Sequence, residues 1–356
     1  MNWKNDITEK LNSDYSIIQA PMFGVTTPEM VAAATKAGCL GSLPLGDLPV
    51  EKCRDVIRTT KQLSPKLFAV NLFANDIPVL TETLKAKYGA VKQFIENLAA
   101  EHGLTIVLPR IDEISVTSYH EQLDIILQEG IKVVSFTFGN LDQQSIQMLK
   151  DNGITLIGTC TSVEEAKTLE ASGIDILCVQ GLEAGGHRGS FTLDNVAMIG
   201  GMSLLSQVFD AVKVPLVYAG GIYNSRTLLA TEALGAKGFQ VGSLLLGSAE
   251  SALKEFEKER LRNVKESEIV LTKSFSGRYA RGIKNAFIEA VEQNDVILPY
   301  PYQNKLTNEV RKVAKANGNT DFVSIWLGQS NNGYSGDSTF EILKKLIAQT
   351  EQADHS

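Results

Sequence analysis

The residues best suited to chemistry sit in three glycine-rich stretches, each closing an apolar run. The first is Gln180-Gly181-Leu182-Glu183-Ala184-Gly185-Gly186-His187-Arg188-Gly189. A neutral imidazole can hold or take a proton near pH 7, and flanking glycines let backbone pass close to a flat ligand. His187 is therefore the candidate base or substrate-positioning group. Its neighbours have weaker claims. Glu183 has two readings, a second acid/base or, the one favoured, a carboxylate that fixes the loop by accepting backbone N–H groups. Arg188 either holds an anionic substrate or makes a surface ion pair, which contributes only ~0–1 kcal/mol. The other two stretches are Gly220-Gly221, after Val214–Ala219, and Gly242-Ser243, after Gly238–Val241. Backbone N–H groups without a Cβ beside them, at the positive end of a helix, bind phosphate well. One Gly-Gly pair usually serves only a tight turn. Two such turns on successive strands, the second carrying the Ser243 hydroxyl, point to a cofactor phosphate. Asn71 and Gln180 are amides at strand ends, able to donate and accept along a ligand edge or to bridge neighbouring loops.

Groups of this kind need strand ends to carry them, and the chain supplies a regular series. Short apolar runs at Ile17–Ala20, Leu40–Leu43, Leu67–Leu72, Lys132–Phe136, Thr155–Thr159 and Ile174–Val179 precede the two runs named above. Helical patterns separate most of them. Thr27 and Pro28 start one as N-cap and first residue, Ser162 caps another with Glu165 at the capping-box position, and Asn224 opens a third. Repeated βα units mean parallel strands, and a count of about eight favours a closed (β/α)8 barrel, whose phosphate site follows strands seven and eight. No G-x-G-x-x-G or G-x-x-x-x-G-K-[ST] occurs, which disfavours a dinucleotide Rossmann site or a P-loop. The alternation breaks at 76–118, an expected helical insertion forming a flap over the barrel mouth. Within it Leu80–Glu101 reads as a helix and Thr105–Leu108 as a strand. Residues 1–252 are thus expected to form the barrel and 253–356 an extension packed back on it, with helices at Leu253–Val264, Thr307–Ala316 and Phe340–Gln349.

Bulk properties narrow the function classes. The chain has 356 residues, 44% hydrophobic and 21% charged, with a net charge of −7, an ordinary soluble composition. No basic run marks a nucleic-acid partner, and no apolar run reaches membrane-spanning length. The amino terminus lacks a signal-peptide pattern. The 4 cysteines show no metal spacing and are expected as buried, reduced thiols, so the expected location is cytoplasmic. His102, His120 and His355 receive no role.

Together these residues resemble the class I nitronate monooxygenases, formerly called 2-nitropropane dioxygenases. The likeness runs through IIQAPMFGVTTPEM (Ile17–Met30), VNLF (Val70–Phe73), QGLEAGGHRGSF (Gln180–Phe191), AGGI at Ala219 and GAKGFQVGSLLLGSAES up to Ser251. It continues through YPYQN (Tyr300–Asn304) and WLGQS (Trp326–Ser330). The resemblance implies an FMN-binding barrel that oxidises alkyl nitronates such as propionate 3-nitronate with O2, giving a carbonyl compound and nitrite or nitrate. Carried over by position, Pro21, Met22, Asn71, Gln180, Gly185, Gly186, Gly220, Gly221, Gln240, Val241, Gly242 and Ser243 bind FMN, and His187 lies near the reacting part of the flavin. If His187 is a base, His187→Ala damages turnover of nitroethane more than of ethyl nitronate. The chain departs from relatives at Tyr223-Asn224-Ser225-Arg226, where an Asp-Gly pair is common, and at Ser243, where threonine is common. The rival readings are an FMN-dependent enoyl-acyl-carrier-protein reductase, a non-catalytic flavin-binding barrel, and a flavin-free barrel with a phosphate-bearing substrate. The expected assembly is a monomer or homodimer.

Overall fold

Eight parallel strands wind into one sheet whose order follows the chain around a ring. In chain order they are β1 (Ile17–Gln19), β2 (Ser42–Gly46), β3 (Ala69–Phe73), β4 (Val133–Thr137), β5 (Thr155–Cys160) and β6 (Ile176–Gln180). A two-residue strand, β7 (Gly186–His187), then leaves the ring, and β8 (Leu216–Ala219) and β9 (Gly238–Val241) complete it. β9 pairs with β1, and a parallel bridge from Ile18 to Leu40 ties β1 to the chain entering β2, which closes the barrel. The structure is a computed structural model and describes residues 1–331 and 334–354; His355 lies outside the described residues.

The period of two along a strand sorts side chains between the barrel's inside and its helical jacket. Ile18, Ala69, Val133, Ile157, Ile176 and Val217 point inward and pack on Ile7 and Leu11. Those two belong to the helix Asp6–Leu11, which plugs the amino end of the barrel and was not evident in the sequence. The alternate residues Val70, Val134, Leu177 and Phe239 pack outward against the helices. Caps lie where expected. The Thr27 side chain accepts from Met30 N–H at 3.1 Å, and Asn224 accepts from Thr227 N–H at 3.0 Å. Ser162 accepts from Glu165 N–H at 3.1 Å, but Glu165 does not close a capping box. Its carboxylate takes the N–H groups of Thr161 and Phe191 at 2.6 and 2.9 Å, tying the loop after β7 to this helix.

Beyond β9 the chain first builds a second layer. The strands β10 (Ile269–Thr272) and β11 (Ala280–Ile283) form an antiparallel pair, and β11 also pairs with β7, setting Ala280 opposite His187. This small sheet was not foreseen; the extension is not wholly helical. Helices Ala286–Gln293 and Tyr302–Ala316 share a hydrophobic cluster with helix Glu82–Glu101, through Phe287, Leu306 and Val310 against Tyr88, Val91 and Ile95. Thr105–Leu108 has no strand partner; Leu108 N–H bonds instead to Glu96 at 3.0 Å. The final helix, Thr339–Asp354, packs against helices Pro28–Lys36 and Ser225–Ala233 and buries Leu343, Leu346 and Ile347 in the barrel's own core. It fills the place in the helical ring that follows β9. Among the described residues no helix is long and apolar enough to cross a membrane, and no cluster suited to a metal ion occurs.

Candidate active site

A cavity of about 470 Å³ opens at the carboxyl end of the barrel. Parity along the strands decides which residues reach it. Asn71 and Phe73 of β3, Ser135 and Thr137 of β4, and Gln180 of β6 continue the inward-facing rows. Pro21 and Met22 line it after β1, Gly220 and Gly221 after β8, and Gln240, Gly242 and Ser243 at the end of β9. Gly185, Gly186 and His187 complete the wall from the β7 loop. Val241 is the exception among the expected residues. It lies one position from Gln240, so its side chain faces outward and is fully buried in the barrel's outer core. Its carbonyl accepts from Ala20 N–H at 2.9 Å.

The two glycine turns come together, but for different local reasons. Gly220 and Gly221 have φ of 128° and 67°, a region that side chains other than hydrogen rarely tolerate. Gly242 has φ of −118°, and a Cβ there would meet nothing nearer than Ala20 Cβ at 3.3 Å. The absent side chain at Gly242 thus leaves room in the cavity rather than relieving strain. Past it runs a single 3-10 turn, Ser243–Leu245. Backbone N–H groups of Gly221, Gly242 and Ser243 have no partner among the described residues. Ser243 Oγ accepts from Gly328 N–H at 2.8 Å, so its hydroxyl also anchors the WLGQS segment.

Polar side chains around the cavity are held by their neighbours. Asn71 Nδ2 donates to Ser135 Oγ at 2.9 Å, and its Oδ1 has no partner among the described residues. Gln180 Nε2 donates to the His187 carbonyl at 3.0 Å and Oε1 accepts from Gly189 N–H at 2.8 Å, so this amide does bridge the loop. Gly185 is required by the tail: a Cβ would fall 2.4 Å from Gly328 N. Glu183 takes the N–H of Gly201 at 2.9 Å and the Tyr218 hydroxyl, the loop-fixing role expected of it. Arg188 neither lines the cavity nor forms a surface ion pair. It is 2% exposed and donates to the carbonyls of Gln180, Gly181 and Ala197 at 2.7, 2.9 and 3.3 Å.

His187 is set between the Phe138 and Trp326 rings, each with its centroid 5.6 Å away. Its Nε2 lies 2.8 Å from Ser276 Oγ, a residue of the extension to which sequence reasoning gave no role. Ser276 Oγ in turn donates to the Arg278 carbonyl at 3.0 Å. Burial, then the nearby Arg278 and Arg311 guanidinium groups, push the imidazole pKa down to about 3. The extension also supplies Tyr300, Asn304, Asn308 and Arg311 to the cavity wall. Inward parity could have found Ser135 and Thr137 in the sequence; no local signal marks Ser276 or Arg311.

The family model described as nitronate monooxygenase matches residues 4–349. The chain belongs to the nitronate monooxygenase family. A probable nitronate monooxygenase of Staphylococcus aureus (strain JH9) is 37% identical over 357 residues, spanning 98% of each chain. Another, from Staphylococcus saprophyticus, is 36% identical over 99% of each. Among solved structures, the nitroalkane oxidase of Streptomyces ansochromogenes superposes with a TM-score of 0.88 at 29% identity, covering 99% of both chains. FabK from Thermotoga maritima, at 23% identity and a TM-score of 0.76 over 99% of this chain and 98% of its own, shares the fold. The protein is accordingly an oxidoreductase of the nitronate monooxygenase family, built on a (β/α)8 barrel.

Proposed function

We propose that the protein is an FMN-dependent nitronate monooxygenase. It oxidises alkyl nitronates, propionate 3-nitronate among them, with O2 to a carbonyl compound and nitrite or nitrate. The observation that carries this reading is the meeting of both glycine turns and His187 on one cavity. The residues suit the cofactor: the N–H groups of Gly221, Gly242 and Ser243 have no partner among the described residues, and the missing Cβ of Gly242 leaves space beside them. Bound FMN would supply the electron acceptor and the site of reaction with O2. Asn71 Oδ1, Gly185 and Gly186 border the same space and are assigned to the ring.

The chain's own groups then bind and orient the substrate. Ser276 has one hydroxyl proton and gives it to the Arg278 carbonyl, so its oxygen accepts from His187 Nε2–H. The lone pair of the neutral imidazole then lies on Nδ1. With its pKa pushed down to about 3, His187 is uncharged at pH 7 and a weak proton acceptor. The site therefore favours a substrate that arrives already deprotonated. A nitronate is such an anion, and the Arg278 and Arg311 charges that disfavour imidazolium favour it.

The test is to purify the protein, record its visible spectrum and measure O2 uptake with propionate 3-nitronate and, separately, with NADH. A flavin spectrum with nitronate-dependent O2 uptake and nitrite release is the expected result. Rapid reduction by NADH would support the enoyl reductase reading, bound flavin without O2 uptake a non-catalytic binder, and a colourless protein a flavin-free barrel.

A further inference from the structure

The segment Trp326–Ser330 of the extension touches both glycine turns and the β7 loop at once. Three successive N–H groups are each spent on a different element. Leu327 N–H donates to the Arg281 carbonyl of β11 at 3.2 Å, Gly328 N–H to Ser243 Oγ at 2.8 Å, and Gln329 N–H to the Glu183 carbonyl at 3.0 Å. Ser330 then donates its hydroxyl to the Gly221 carbonyl at 2.9 Å. Facing glycines let the segment lie this close. A Cβ on Gly328 would stand 2.9 Å from the Glu183 carbonyl oxygen, 3.1 Å from Gly185 N and 3.2 Å from Ser243 Oγ.

Both serine contacts bear on the phosphate donors. A hydroxyl has one proton to give and two lone pairs. Ser243 Oγ accepts from Gly328 N–H, and its own proton has no acceptor among the described residues. An N–H donated into a hydroxyl oxygen polarises it and makes it a stronger donor in its turn. Gly221, at φ of 67°, has the freedom that lets a turn form and also lets it waver. The Ser330 hydroxyl restrains it by holding its carbonyl. Gly328 and Ser330 themselves line the cavity. At the other end of the segment, the Trp326 ring packs 5.6 Å from that of His187.

We propose that Trp326–Ser330 is a clasp on the cofactor phosphate site. In it Ser330 is the positioning residue for the Gly221 turn, and Gly328 N–H commits the Ser243 hydroxyl to the phosphate. The inference rests on the flavin reading and adds to it: part of the affinity for FMN resides in a segment 85 residues beyond Ser243. Coupling of this kind is reciprocal, so phosphate held at the turns also holds the clasp down. Riboflavin, which has the ring and no phosphate, does neither.

The experiment titrates FMN and riboflavin into the full-length protein stripped of flavin, as wild type, Ser330→Ala and Ser330→Thr, and follows flavin fluorescence. Loss of one neutral hydrogen bond corresponds to roughly 3- to 10-fold in affinity. Ser330→Ala is expected to weaken FMN by about that factor and riboflavin by less than about 2-fold. Ser330→Thr keeps the hydroxyl and is expected to restore FMN binding. Hydrogen exchange is read on the peptide spanning 326–330. FMN is expected to slow it in wild type and to slow it less in Ser330→Ala, while riboflavin leaves it unchanged. Equal losses on FMN and riboflavin would make Ser330 a structural residue and overturn the proposal, as would unchanged FMN affinity in Ser330→Ala. A wild type that binds neither flavin defeats the cofactor reading and the clasp together. One that binds both flavins equally well keeps the flavin and removes the clasp.

Discussion

Gly242→Ala separates a glycine kept for a ligand from one kept for the backbone. At φ of −118° alanine meets no left-handed strain, and its Cβ would stand 3.3 Å from Ala20 Cβ and 3.6 Å from Met22 Sδ. A shift of a few tenths of an ångström relieves the first contact. Alanine also narrows the unfolded ensemble, which favours folding by ~0.4–1 kcal/mol. The net change in stability is therefore expected within about 1 kcal/mol of zero. The new methyl group, however, enters the space beside the free N–H groups. Displacing the phosphate from one such donor costs ~1.5–3 kcal/mol, a roughly 10- to 150-fold weaker FMN Kd. Gly221→Ala is the contrast: at φ of 67° the backbone itself resists, and folding stability falls by ~1–2 kcal/mol. Urea denaturation gives the stabilities, and quenching of flavin fluorescence on titration into apoprotein gives the Kd. An FMN Kd within about 3-fold of wild type in a stable Gly242→Ala protein would refute the placement of the phosphate, since losing one hydrogen bond to a charged group costs at least about 10-fold in affinity.

Three further outcomes follow from the site. Arg188→Met strips the donors from buried carbonyls at Gln180, Gly181 and Ala197, and should destabilise the protein by ~3 kcal/mol or more in urea. Half-buried, neutral His187 in the cavity wall makes stability depend on pH. The unfolded imidazole takes a proton near 6.5 and the folded one only near 3, so stability is highest above 6.5 and falls by ~1.4 kcal/mol per unit on acidification between those values; His187→Asn should flatten this part of the denaturation profile. Because an imidazole with so low a pKa is a poor base, His187→Ala should lower kcat/KM for nitroethane and ethyl nitronate by similar factors; a loss confined to nitroethane would restore the base role.

Much of this site is readable from the chain because barrels obey two local rules. Short apolar runs closed by glycine mark strand ends, and alternation marks which of their residues face in. Those rules place Asn71, Gln180, Gln240 and the glycine turns on the cavity, and they send Val241 outward. What escaped depends on contacts distant in sequence. Nothing in Gly186-His187 suggests a strand; it becomes one only because Ala280 and Arg281 lie beside it. Ser276 reaches His187 across 89 residues, and Arg188 satisfies carbonyls that a linear reading cannot see are buried. No local signal marks the helix Gly201–Ala211, whose capping residue is a glycine and which follows an irregular loop.

The placement of helix Thr339–Asp354 in the ring has a consequence for synthesis of the protein on the ribosome. All eight strands leave the exit tunnel well before this helix does. Until it arrives, Leu343, Leu346 and Ile347 are missing from the gap between helices Pro28–Lys36 and Ser225–Ala233, and that seam stays greasy and open to water. The nascent chain must therefore wait with an unfinished barrel, a stage at which chaperones rather than its own contacts would guard it.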